Sequence, residues 1–154
     1  VFVQPGRLDD LPDVDRVVCL GDVVGYNPWP AECVDRVREV ADTCLQGNHD
    51  RVVETPGLYE HNAMAYEGLK LAKRDLSASQ LTWLRNRPET HTALDGQALY
   101  AHSHPDERDR YVRPDEFEEV RTDYLTDETD LVALGHKGKI VARRQSTEGN
   151  DRVF

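Results

Sequence analysis

Arg16-Val17-Val18-Cys19-Leu20 runs straight into Gly21-Asp22, and Thr43-Cys44-Leu45-Gln46 runs into Gly47-Asn48-His49-Asp50. Each is a short β-branched and apolar run that stops at a glycine followed by polar groups, the pattern of a buried strand breaking into a turn. Between them, Val23-Val24-Gly25-Tyr26-Asn27-Pro28-Trp29-Pro30 is rich in turn residues, and Pro30 suits the first turn of a helix. Cys33, Val37, Val40 and Ala41 then follow at helical spacing, with Glu32, Asp35, Arg36 and Glu39 on the other face. Strand, loop, helix, strand, loop is a βαβ unit. Its two strands are expected to be parallel, which puts both polar loops at one C-terminal sheet edge, where α/β proteins bind ligands.

Downstream, Ala65, Leu69, Ala72 and Leu76 mark a second helix. Ser77-Ala78-Ser79-Gln80 has the spacing of a capping box, with Leu76 and Leu81 placed as a hydrophobic staple, so a third helix is predicted from about Ala78 to before Pro88. Thr92 to Leu94 and Gln97 to Ala101 flank Asp95-Gly96, a tight hairpin signal, and the second run ends at His102-Ser103-His104-Pro105. Residues 106–130 are highly charged, with a short helix predicted around Glu116 to Val120. Leu131-Val132-Ala133-Leu134 reads as a further buried strand, ending at Gly135-His136. The alternation predicts an α/β fold, and 154 residues are enough for a single domain, 1–154.

Composition excludes several functions. The chain has 19 Lys and Arg against 29 Asp and Glu, a formal net charge of −10. Such a surface repels phosphate backbones and anionic bilayers, which argues against general nucleic-acid binding and against membrane docking. No apolar run has the length of a membrane span, and no basic-then-apolar start suggests a signal peptide, so a soluble, cytoplasmic protein is expected. Cys19, Cys33 and Cys44 are odd in number and lack CxxC spacing; they read as small buried apolar groups in a reducing compartment rather than a zinc thiolate site. Only Lys70, Lys73, Lys137 and Lys139 are lysines. Few lysines amid many carboxylates resembles the composition of salt-loving organisms, and screening by salt is expected to stabilise so acidic a fold.

Four strand-like runs each end in a metal-capable group: Asp22, then Asn48 and His49, then His102 and His104, then His136. Carboxylate, amide oxygen and imidazole together suit a divalent transition metal such as Mn, Zn, Ni or Fe, which can polarise a phosphoryl oxygen and acidify water. The ordered motifs Gly21-Asp22, Gly47-Asn48-His49-Asp50, His102-x-His104-Pro105 and Gly135-His136 resemble those of calcineurin-like metallophosphoesterases, over residues 8–136. Within that superfamily the likeness is greatest to small prokaryotic, particularly haloarchaeal, phosphodiesterase and phosphatase domains. The resemblance implies a four-layer α/β/β/α sandwich with a two-metal site at the strand ends, acting on a small phosphoester through a metal-activated water. It implies that Asp22 bridges both metals, that Asn48, His102 and His136 complete the shell of the second, and that His49 faces the substrate phosphate as transition-state stabiliser and acid. His102 is favoured over His104 as the ligand, with His104 as its neighbour. His61 and His91 match no motif and read as structural or surface groups, and Tyr26 and Trp29 as packing groups near the first loop.

Two family motifs are missing. Val1-Phe2-Val3-Gln4-Pro5-Gly6-Arg7 stands where an Asp-x-His is expected, and Gly138 stands where a second histidine should follow His136. Every ligand private to the first metal is thus absent, which predicts one bound ion instead of two and hydrolysis at least about a thousandfold slower than in a complete relative. From Gly135 on, five basic residues face two acidic ones, so residues 1–134 carry −13. A change of composition where a motif breaks points to a shifted reading frame or truncation, leaving the sandwich incomplete at both ends. A selected one-metal protein, a non-catalytic metal- or phosphate-binding module and a non-functional remnant are the competing readings.

Overall fold

Two units emerge from the backbone contacts, Val1–Pro88 and Glu89–Phe154. The computed structural model describes residues 14–113, 115–127 and 129–136, together with the backbone of strands 141–144 and 152–153; for 117, 118 and 121 it describes the backbone alone. The readings made for residues 1–7 and for Lys137-Gly138 lie outside the described residues.

The first unit is the predicted βαβ element followed by helices. β1 (Val18–Cys19) leads through the first loop to α1 (Pro30–Val40), then β2 (Thr43–Cys44), α2 (Asn48–Val52), a 3₁₀ turn (Pro56–Tyr59), α3 (Ala63–Asp75) and α4 (Ala78–Arg85). β1 and β2 are parallel, with Val18 opposite Thr43 and Cys19 opposite Cys44. Both strands therefore end at the same edge, as the sequence predicts. Pro30 opens α1, and Cys33, Val34 and Val37 point into a core shared with Leu69 and Ala72 of α3 and Leu84 of α4. Fully burying each such Val or Leu stabilises by about 1.5–3 kcal/mol. The capping box holds: Ser77 Oγ accepts from the Gln80 amide at 3.3 Å, and Gln80 Oε1 accepts from the Ser77 amide at 2.9 Å. Leu76 and Leu81 join the same core.

The first loop differs from expectation in one respect. Val23 and Val24, read as part of a turn-rich connection, are fully buried in that core. The loop is thus anchored from below while its polar ends face the sheet edge. The cysteines behave as apolar groups: no disulfide joins them, and burial pushes the Cys33 thiol up to about 12.

The second unit is a five-stranded sheet in the order β3-β4-β5-β6-β7, made of Thr90–Ala93, Ala98–Ala101, Leu131–Leu134, Val141–Arg144 and Arg152–Val153. β4 and β5 are parallel, with Ala101 opposite Leu134; the other pairs are antiparallel. α5 (Phe117–Tyr124) lies between β4 and β5 in sequence. It runs one turn past the predicted Glu116 to Val120, because Val120, Tyr124 and Leu125 all pack into a small core with Ala101, Val132 and Leu134.

Two local readings are corrected. Asp95-Gly96 does not make a two-residue turn, since Ala93 and Ala98 are the last pair and Leu94–Gly96 forms a 3₁₀ turn within a four-residue connection. Leu94 and Asp95 take positive φ (54° and 55°), and Thr129 Oγ1 donating to the Gly96 carbonyl at 2.9 Å holds the wider loop. Likewise Gly47-Asn48-His49-Asp50 is no open loop: Asn48 is the first residue of α2.

Candidate functional site

In the first unit, Asp22 and the Gly47–Asp50 segment follow the two parallel strand ends by three and a few residues. Asp22 has a left-handed backbone (φ 55°) after Gly21 (φ 92°), a sharp turn off β1. Its Oδ1 accepts the His49 amide at 3.0 Å. Gly47 permits this approach, because a Cβ there would lie 2.1 Å from Asp22 Oδ1 and 2.3 Å from its backbone nitrogen. Asp50, one of the most buried charged side chains described, staples the two segments: Oδ1 accepts from the Val24 amide at 3.1 Å and Oδ2 from the Gly47 amide at 2.9 Å. Carboxylates held by two backbone donors are rigid and well compensated.

Asn48 and His49 are both buried. The Asn48 amide nitrogen donates to the Tyr59 hydroxyl. His49, only 4% exposed, sits between the rings of Tyr26 and Tyr59, with centroids 4.6 and 4.8 Å away. Gly25 (φ 112°) makes room, since a Cβ there would meet the imidazole at 2.3 Å. His49 is therefore a packed histidine at the strand edge and not a solvent-facing loop residue.

In the second unit, the register of β4 and β5 brings His102 and His136 together. Ala101 and Leu134 pair, the Gly135 amide donates to the Ala101 carbonyl at 3.0 Å, and His136 Nδ1 comes within 2.9 Å of His102 Nε2, the two rings edge to face. His136 has a left-handed backbone (φ 77°), which turns its ring off the strand axis. Two imidazole nitrogens converging on one point fit a shared divalent ion.

His104 has another task. Its Nδ1 accepts from the Asp106 and Glu107 amides at 3.3 and 3.2 Å, closing the loop after β4. His61 stacks on Tyr59 and His91 on Tyr100, while Trp29 is half exposed. Tyr26 packs on His49, as a packing group should. Sequence reasoning missed Asp50 and Tyr59. Asp50 was visible as the fourth residue of its motif, but nothing in one sequence marks Tyr59, whose role depends on the chain returning after α2.

The family model for calcineurin-like phosphoesterases matches residues 6–152. The chain belongs to that family. Among solved structures, a metallophosphoesterase from Sphaerobacter thermophilus aligns with TM-score 0.65 and 30% identity, over 84% of this chain and 52% of that one. A hypothetical protein of Pyrococcus horikoshii shares the fold, at TM-score 0.68 and 15% identity, over 94% of this chain and 64% of that one. An uncharacterized protein of Methanocaldococcus jannaschii is 27% identical over 143 residues, 89% of this chain and 56% of its own length. The chain thus spans about half to two thirds of the length of these relatives. The α/β metallophosphoesterase fold expected from the motifs is the one observed, and the family's chemistry is metal-dependent. No helix among the described residues is long and apolar enough to cross a membrane.

Proposed function

We propose that this chain hydrolyses small phosphoesters with the help of a divalent ion held by Asp22, Asn48, His102 and His136. The observation that carries the reading is the glycine-permitted apposition of Asp22 to the Gly47–His49 segment, which places a carboxylate and an amide side chain of the family motifs at one strand edge. The paired imidazoles of His102 and His136 support the other half of the ligand set. When bound, the ion supplies Lewis acidity toward a phosphoryl oxygen and toward the attacking water. The protein's own residues do the rest. Asp22, its orientation fixed by the His49 amide, offers its carboxylate as a hard ligand. His49, clamped between two tyrosines, stabilises charge on the phosphate and returns a proton to the leaving oxygen. These four ligands fit one ion, of Mn, Zn, Ni or Fe. A cytoplasmic setting agrees with three cysteines outside any disulfide, and the net charge of −10 favours a small phosphoester over nucleic acid as the substrate.

The test is metal content and turnover on one preparation. Dialysis against Mn²⁺ should leave about one ion per chain, and p-nitrophenyl phosphate or its bis-ester should be cleaved slowly, with Asp22→Ala losing both properties and His49→Ala losing turnover alone. An ion without turnover, unchanged by His49→Ala, reassigns the chain as a binding module. Turnover unaffected by Asp22→Ala removes the assignment altogether.

A further inference from the structure

Asn48 poses a problem that its motif does not solve. An amide has two ends that differ completely in chemistry: the oxygen ligates a cation and the NH₂ cannot. The torsion that exchanges them is soft and nearly two-fold. We infer that Tyr59 is the positioning residue that holds the Asn48 amide with its oxygen end available to the ion, an inference that rests on the ligand role proposed above for Asn48. In the structure the nitrogen end of the amide donates to the Tyr59 hydroxyl, so the oxygen is the other in-plane end of the same group.

Tyr59 is built to hold still. It closes the 3₁₀ turn Pro56–Tyr59, whose first residue is a proline of fixed φ. Its carbonyl accepts the Asn62 amide at 2.9 Å, which ties the turn to the start of α3. Its ring packs against the first unit's core and lies 4.8 Å from His49 and 5.6 Å from His61. One side chain therefore touches both neighbouring motif residues, by hydroxyl to Asn48 and by ring face to His49. The partners of metal ligands usually matter in this way: removing one typically lowers metal affinity or activity 10–100-fold.

Tyr59→Phe deletes the hydroxyl and keeps the ring on His49. Its effect is read as Mn²⁺ affinity by titration calorimetry on the 154-residue chain, in two backgrounds. In the native background Tyr59→Phe should weaken Mn²⁺ binding about 10–100-fold. In the Asn48→Asp background the same change should cost less than about threefold, because a carboxylate offers a ligand oxygen at either end. In the metal-free chain, the Asn48 side-chain amide protons should exchange faster with solvent after Tyr59→Phe. Equal losses in both backgrounds would reduce Tyr59 to a packing group and overturn the inference, as would an unchanged native affinity. An unmodified chain that binds no Mn²⁺ overturns the proposed function and this inference with it. Binding that is intact but indifferent to Tyr59 overturns the inference alone.

Discussion

The two units place their metal-capable side chains by different physics. In the first, Asp22 and Asn48 are placed by backbone packing: two segments are pressed together where a glycine has no side chain, and a buried Asp50 bonds both. In the second, His102 and His136 are placed by sheet register, each following a strand whose last residue pairs with that of its neighbour. The first arrangement tolerates almost no added volume. The second depends on keeping two strands in step, since a one-residue slip would turn a side chain to the opposite face. The lesson is that equally short motifs can be held either by steric exclusion or by hydrogen-bond ladders, and that these should fail differently under mutation.

The largest effect should come from breaking the packed arrangement at its tightest point. Gly47→Ala sets a methyl 2.1 Å from Asp22 Oδ1 and against backbone that cannot move aside. Destabilisation of about 3 kcal/mol, the upper end for overpacking, is expected, read from urea unfolding, with metal binding lost as well. A stable Gly47→Ala chain that still binds an ion would show that this unit is more pliable than the geometry allows. Next comes Asp50→Asn. It keeps one acceptor oxygen but exchanges the other for an NH₂ facing an amide donor, Val24 or Gly47. A loss of about 1–3 kcal/mol is expected, with a smaller loss of metal affinity; an unchanged midpoint would remove Asp50 from the scaffold. The smallest change probes the second unit. His104→Ala should cost about 1 kcal/mol through the two backbone bonds it accepts, leaving Mn²⁺ affinity within about twofold, whereas a collapse in affinity would exchange the roles assigned to His102 and His104.

Much of this arrangement was legible in the residues. Strand-ending Gly-Asp and Gly-Asn-His-Asp runs, with a proline-started helix between them, foretold parallel strands and a shared edge, and Ser77 with Gln80 foretold the start of α4. Burial of Val23 and Val24 was not legible, because turn-forming neighbours outweighed two apolar residues in a short window. Neither was the widened hairpin, whose loop takes a hydrogen bond from Thr129, more than thirty residues away. Asp50 and Tyr59 show the general limit: local pattern finds the polar groups that end strands, while the groups that pack and bond against them arrive from wherever the chain happens to return.

Gly68, in the middle of α3, stands so near the first loop that a methyl there would fall 1.9 Å from the Gly25 carbonyl oxygen. Gly25 in turn makes room for His49. Helix, loop and histidine are therefore interlocked like three gears, and none can be redesigned by itself. Anyone grafting the loop of residues 21–29 from a relative to alter substrate preference should transplant position 68 along with it. In families of sequences the same linkage should be written as paired change, with bulk at one of these positions answered by smallness, or by a displaced loop, at the other.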